Sequence, residues 1–289
     1  MNRLALGTVQ FGLPYGIANQ TGQVSLKEAN AMLQLALAHS IDVIDTAIAY
    51  GNSETCLGDI GIDKFKIVTK LPAIPQDCSD IVGWVKQQFS MSLLRLQVNK
   101  VYGLLLHRSE QLIGQNGDAL YEALQALKDS GQVQKIGVSI YSPTELDALI
   151  PRYRLDLVQA PFNLVDQRLY RTGWMQRLKE DDVEIHTRSA FLQGLLLMKQ
   201  ADISEKFSPW YGLWDKWHKW LLDIEISALQ ACLAFPLSFP EIDKVIVGSD
   251  SANQLAQIIS AVNTPQKLDL PNIRCDDENL INPANWNRL

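Results

Sequence analysis

The sequence predicts an α/β protein folded as a (β/α)8 (TIM) barrel, with its site at the C-terminal ends of the strands. Three observations lead there. Eight short apolar runs of strand length alternate with longer stretches of helical period. The short runs are continuously apolar instead of alternating, as in parallel strands buried on both faces. Eight such units in roughly 250 residues is the size of this barrel. A doubly wound sheet would alternate the same way, but its GxGxxG after the first strand is absent; here that strand runs into GTVQFG. No Gly/Ser-rich linker, charge run or short repeat divides the chain. Residues 1–289 are therefore expected to form one domain, with a tail from about residue 265 closing over the barrel.

The elements follow in order. Residues 4–6 read as the first strand. Ser25 opens a helix: Ser25 and Glu28 have capping-box spacing, and Leu26, Ala29, Met32, Leu33, Ala36 and Leu37 make one apolar stripe. Val43 and Ile44 form a buried strand ending at Asp45, and residues 66–69 form the next. A helix is expected over 80–96, a strand over 101–106, a helix over 120–130 and a strand over 135–138. Pro143, after Ser142, suits a first helical turn. Then come strand 157–160, helix 169–180, strand 183–186, helix 226–234, strand 244–247 and helix 252–261. Two stretches exceed what a plain barrel needs: 191–222, with four of the seven tryptophans, and the segment after Pro265.

Composition narrows the function. With 26 Lys+Arg against 32 Asp+Glu the formal charge is −6, the wrong sign for a nucleic-acid groove or an anionic membrane surface. Mean hydropathy is −0.04, and no apolar run approaches the roughly 20 residues of a spanning helix. No nucleic-acid or membrane partner is expected. The start, MNRLALGTVQFG, is broken by Gly7 and makes a poor signal peptide. Cys56, Cys78, Cys232 and Cys275 lie far apart with no CxxC pair. Neither disulfides nor a metal site is expected, and a cytoplasmic location fits. Oligomeric state is not legible.

In a barrel of this kind, side chains at the C-terminal strand ends point into the mouth. The map puts Asp45, Lys70, His107, Ser139, Gln159, Arg188 and Gly248 there, with Tyr50 five residues past Asp45. Singly they have plain readings: Asp45 and Lys70 as a structural ion pair, His107 as a core histidine, Tyr50 as loop packing. Together, on consecutive strand ends, they have a chemical use. A lysine beside a tyrosine lowers the phenol's pKa from about 10 toward neutrality and makes it a general acid. A carboxylate keeps the lysine charged, and a histidine in reach hydrogen-bonds a carbonyl oxygen. The set suits proton donation to an oxygen that gains negative charge.

The stretch VIDTAIAYGNSE resembles the aldo-keto reductase signature, a strand-end Asp followed by Tyr-Gly and a short helix. The resemblance spans nearly the whole chain. LALGTVQFG is similar to that superfamily's first strand, IVTK to its catalytic-lysine strand and LLLHR to its histidine strand. KIGVSIYS is similar to its nicotinamide-carboxamide segment, HTRSAFLQGLL to its seventh-strand loop, and KVIVGSDSANQL to its phosphate and adenosine segment. The resemblance implies NAD(P)H-dependent reduction of an aldehyde or ketone, with NADPH favoured, NADH possible and no metal. It makes Tyr50 the proton donor, Lys70 and Asp45 the pair that tunes it, and His107 the carbonyl-orienting residue. Ser139 and Gln159 would hold the carboxamide, above a base formed by Gly7, Thr8 and Asp45. Arg188, Ser189, Phe191 and Gly194 would hold the cofactor from the seventh loop. Gly248, Ser249, Gln254 and Gln257 would do so from the eighth.

Three departures matter. Ile140 stands where an Asn contact to the carboxamide is usual. Arg188 replaces an aromatic that often stacks on the nicotinamide, and its guanidinium plane is expected to lie flat there; pairing with a surface acid is the alternative. The eighth loop, GSDSANQL, has no Lys or Arg for a 2′-phosphate. Ser249, Ser251, Gln254 and the helix start are expected to take that anion, with Asp250 opposing and Lys244 or Arg274 as outside cations. Ile258 stands where an adenine-contacting Asn is usual. The expectation is a small NADPH preference or dual use.

Phe11, Tyr15, Trp210, Trp214 and Trp286 are expected to wall the substrate pocket, although Trp210, Trp214, Trp217 and Trp220 also share one helical face. Aromatic walls suit sugar and ring-bearing carbonyl compounds equally. Two other functions stay open. One is a cofactor-binding regulatory protein with little turnover. The other is an isomerase or aldolase with Lys70 as a Schiff-base amine.

Overall fold

Each predicted strand forms, and the eight close on themselves in sequence order, all neighbours parallel, with the last pairing the first. The computed structural model describes residues 2–19, 21–262 and 270–289. The strands are β1 (Leu4–Gly7), β2 (Val43–Asp45), β3 (Lys66–Leu71), β4 (Val101–Leu106), β5 (Val133–Ser139), β6 (Leu157–Pro161), β7 (Glu184–Arg188) and β8 (Lys244–Val247). The helices through the fifth strand unit are α1 (Val9–Gly12), α2 (Leu26–Ala38), α3 (Ser53–Ile60), α4 (Ile81–Leu96), α5 (Gly117–Asp129) and α6 (Glu145–Leu149). Then follow α7 (Arg168–Arg171), α8 (Trp174–Glu180), α9 (Tyr211–Ile224), α10 (Ala228–Leu237), α11 (Ala252–Val262) and α12 (Glu278–Ile281).

The continuous apolar character of the strands has a direct cause. One set of side chains, Ala5, Val43, Val68, Leu105, Leu157 and Ile246, packs into a cluster of its own. The alternate set joins the helices in the larger core. The N-terminal strand ends are bridged by charge instead. Asp42 accepts from Lys244 at 2.8 Å and pairs with Lys66 at 3.2 Å. Glu184 is bonded by Tyr102 and His186, each at 2.6 Å, and by Lys135. Burial alone would raise the Glu184 carboxyl, but these bonds outweigh it and hold it at about 2. The residues expected to carry the chemistry lie at the other end.

Some predicted elements differ in detail. The single helix expected over 169–180 is two, α7 and α8, because Gly173 takes φ +76 between them. The helix expected from Pro143 starts at Glu145, whose carboxylate accepts the N–H groups of Tyr141 (2.8 Å) and Ser142 (2.7 Å). Ser25 caps α2 as expected, through the Glu28 N–H at 3.3 Å. The other half of that capping box is not made: the Glu28 carboxylate instead accepts from the backbone N–H of Ala252, at 2.6 Å. Of the tail, residues 265–269 lie outside the described residues. Residues 270–289 dock beside the barrel, with Cys275 N–H on Val165 O at 2.9 Å and Glu278 on Arg168 at 2.8 Å.

Candidate active site

The register of β2 on β3 sets Asp45 opposite Val68, so Lys70, two residues on, comes up beside the Asp45 carboxylate. The Lys70 ammonium donates to Asp45 Oδ1 at 2.7 Å, to Oδ2 at 2.8 Å and to Thr46 O at 3.0 Å. The two side chains are 0% and 5% exposed. From across the barrel Gln159 Nε2 donates to Asp45 Oδ1 at 2.7 Å. The pair is thus held from three strands.

Tyr50 sits on the loop between β2 and α3, and buried hydroxyls fix that loop. Ser53 Oγ donates to Thr8 O at 2.8 Å and lies 3.1 Å from Thr46 Oγ1, while Thr8 Oγ1 donates to Asp45 O at 3.0 Å. Glu54, also buried, accepts from Thr69 (2.7 Å), Ser92 (2.6 Å) and Arg95 (2.8 Å) and ties the start of α3 to β3 and α4. The loop passes so close to α1 that a Cβ on Gly12 would lie 1.7 Å from Tyr50 O, so this approach requires glycine. The Tyr50 ring meets His107 edge-on, with centroids 5.7 Å apart, and Lys70 Nζ lies 5.2 Å from its centroid.

The electrostatics correct one expectation. Lys70 was to draw the Tyr50 phenol toward neutrality, yet the phenol's pKa is raised, first by burial and then by the Asp45 carboxylate. The reason is geometric: the ammonium's three protons are directed at Asp45 and Thr46. Burial also pulls Lys70 down, against the Asp45 carboxylate, which supports its charge. The His107 imidazole is pushed down to about 4 by burial and by Lys70. The site therefore presents two neutral proton donors, a phenol and an imidazole, around a buried ion pair. In the cofactor-free protein the His107 ring resonances should stay flat from about pH 8 to 5 by NMR. The sign follows from linkage: unfolded chain takes up a proton near pH 6.5 that folded His107 refuses, so stability falls as pH drops toward 4. A folded-state midpoint near 6.5 would show an unperturbed ring.

A cleft of about 770 Å³ opens at this end of the barrel, and the residues predicted to hold a cofactor lie in its wall, except Ser251. Gly7, Thr8, Asp45, Ser139 and Gln159 come from strand ends. Arg188, Ser189, Phe191 and Gly194 follow β7; Gly248, Ser249, Gln254 and Gln257 follow β8. Three buried side-chain atoms in this wall have no hydrogen-bond partner among the described residues, Gln10 Oε1, Gln159 Oε1 and Ser249 Oγ; the last two are what an acceptor for a carboxamide N–H and a hydroxyl for a nucleotide would require. The segment after β7 has positive φ at Ser189 (64), Leu192 (47), Gln193 (53) and Gly194 (94). Such turns present backbone N–H groups to an anion.

Arg188 lines the cleft and does not make the surface ion pair that was the alternative. Its Nη2 donates to Ile140 O at 2.9 Å and its guanidinium lies 4.8 Å from the Tyr141 ring centroid; among the described residues it pairs with no carboxylate. Tyr141 lines the cleft and was missed, although it stands two residues beyond Ser139 at a strand end, which was the available signal.

Of the expected substrate aromatics only Tyr15 is in the wall. Phe11 is fully buried in the core. Trp214 donates to Phe207 O at 3.2 Å and Trp286 to Leu280 O at 2.9 Å. The Trp210 and Trp286 rings both pack on Phe207. Large rings gain most by leaving water altogether, and here the core of helices claims them. The eighth loop brings a second correction: the α11 N-terminus, expected to be open to an anion, already holds the Glu28 carboxylate. Lys244 is bound to Asp42 and Asn2 O at the far end of the barrel, and neither it nor Arg274 is in the cleft wall.

Comparison with known proteins bears on the family and the fold. The model of the aldo/keto reductase family matches residues 3–270. The chain is 24% identical over 284 residues to the uncharacterized oxidoreductase YqkF of Bacillus subtilis (strain 168), covering 91% of this chain and 92% of that protein. To aldo-keto reductase YhdN of the same organism it is 24% identical over 212 residues, covering 70% and 62%. Aldo-keto reductase AKR11C1 from Bacillus halodurans (holo form) superposes with a TM-score of 0.74 at 19% identity, covering 94% of this chain and 89% of that one. Glycerol dehydrogenase AKR11B4 from Gluconobacter oxydans gives 0.70 at 21%, covering 93% and 88%. At these identities the structural likeness concerns the fold.

Proposed function

From the premise that the chain belongs to the aldo/keto reductase family, and so is an oxidoreductase, we propose that it reduces an aldehyde or ketone to an alcohol with a nicotinamide dinucleotide, with Tyr50 as the proton donor. The observation that carries this reading is the Tyr50–His107 pair set on the buried Lys70–Asp45 pair beside the unpartnered Gln159 Oε1. The cofactor, when bound, supplies a hydride to the carbonyl carbon. Every other task falls to the chain. Gln159 and Ser139 orient the carboxamide, Gln159 Oε1 as its acceptor. Neutral His107 donates an N–H to the carbonyl oxygen and fixes its direction. Tyr50 gives its hydroxyl proton to that oxygen as negative charge develops. An alkoxide is more basic than a phenolate, so a phenol whose pKa is raised still transfers its proton. The resulting phenolate faces the Lys70 ammonium across the ring, and solvent restores the proton. Arg188, held against Tyr141, brings a positive charge to the cleft of a protein whose formal charge is −6. The substrate is a small carbonyl compound and the setting cytoplasmic, in keeping with four free cysteines, two of them buried. The test is transfer of C4-bound deuterium from labelled cofactor to a panel of aldehydes and ketones.

A further inference from the structure

The wall of the cleft at the β8–α11 connection is formed by Ser249, Asp250, Gln254 and Gln257, with Asn19 beside them. Its charge is negative. Asp250 accepts from Asn19 Nδ2 at 3.1 Å, and its own backbone N–H donates to Gln254 Oε1 at 2.7 Å. No described Lys or Arg pairs with its carboxylate. The first N–H of α11, where a helix offers its positive end to an anion, is occupied by Glu28 Oε1 at 2.6 Å. Among the described residues of the wall the sole Lys or Arg is Arg188, which is turned toward Ile140 and Tyr141. The wall still offers a hydrogen bond to a ligand: Ser249, 3% exposed, has an Oγ without a partner there.

We infer that Asp250 and Glu28 make this end of the cleft a site for a ribose with a free 2′-hydroxyl, so that the protein binds NADH and rejects NADPH. The inference rests on the reading that the cleft takes a nicotinamide dinucleotide. A 2′-hydroxyl donates a hydrogen bond to a carboxylate such as Asp250, and an acidic residue is the usual partner of that hydroxyl in NAD sites. A 2′-phosphate has no proton to give and carries about two negative charges. It would enter beside the Asp250 carboxylate, at a helix end already taken by Glu28, with Arg188 the sole described Lys or Arg in the wall. Like charges brought together cost binding, and selectivity here comes from rejecting the wrong ligand. The expected small NADPH preference therefore gives way to the opposite choice.

Calorimetric titration of the full chain with NADH and with NADPH tests this without any turnover. The expected result is NADH binding at least about tenfold tighter, with the gap narrowing as salt rises. Asp250→Asn keeps an acceptor oxygen and removes the charge, so it should tighten NADPH by about tenfold and change NADH less. Glu28→Gln should act in the same direction; where its lost cap weakens α11, Asp250→Asn alone decides. NADPH binding as tightly as NADH, or an unchanged ratio in Asp250→Asn, would overturn the inference. Failure of both cofactors to bind the wild-type chain would instead overturn the reading beneath it.

Discussion

Replacing Tyr50 by phenylalanine should lower carbonyl reduction by about 100- to 10,000-fold, the usual worth of general acid catalysis, while cofactor affinity stays nearly the same. The ring contacts with His107 and the approach of Lys70 are kept, and only the hydroxyl proton is lost. The Gly12–Tyr50 backbone contact and the Ser53–Thr8–Thr46 hydroxyls hold the loop independently of the phenol, so the fold should be intact. Cofactor titration and single-turnover rates on the same preparation separate the two effects. A variant rate within about tenfold of wild type, with chemistry limiting, would assign the proton to another group.

Lys70→Met should destabilise the protein by about 3–5 kcal/mol, because it leaves the Asp45 carboxylate buried without its cation. Among the described residues only the Gln159 amide would still hold it directly. Urea unfolding measures the loss. In the Asp45→Asn/Lys70→Met double variant most of it should return, since no uncompensated charge remains, and the cycle isolates the pair's coupling. A single-variant loss below about 1 kcal/mol, the range of solvent-exposed ion pairs, would contradict a buried pair. The geometry also speaks to the Schiff-base alternative. An ammonium that donates to two carboxylate oxygens and a carbonyl has no free lone pair for a carbonyl carbon.

The sequence made the barrel legible because strands buried on both faces must be continuously apolar. Asp45, Lys70 and His107 were legible because a parallel barrel puts strand ends in one place, which turns positions scattered along the chain into neighbours. What periodicity could not supply was direction and partnership. The Trp210–Trp220 spacing fixed a helical face but not which side the face would meet, and the core took Trp214 and Trp217. Glu28 had the spacing of a capping box with Ser25, yet its carboxylate found the α11 N–H 224 positions away. Tyr50 stands in the cleft beside His107, as its place after Asp45 implies, but the direction of its pKa depends on where the protons of Lys70 point, which only the approach of Thr46 O assigns.

The most direct test of hydride transfer with Tyr50 as the acid is a single incubation. Wild-type protein is mixed with a reactive aldehyde and reduced cofactor deuterated at C4, and the alcohol is analysed by mass spectrometry and NMR. The expected product carries one deuterium on the carbinol carbon, and Tyr50→Phe forms it far more slowly under the same conditions. Alcohol without deuterium, or a borohydride-trapped adduct on Lys70, would contradict the account.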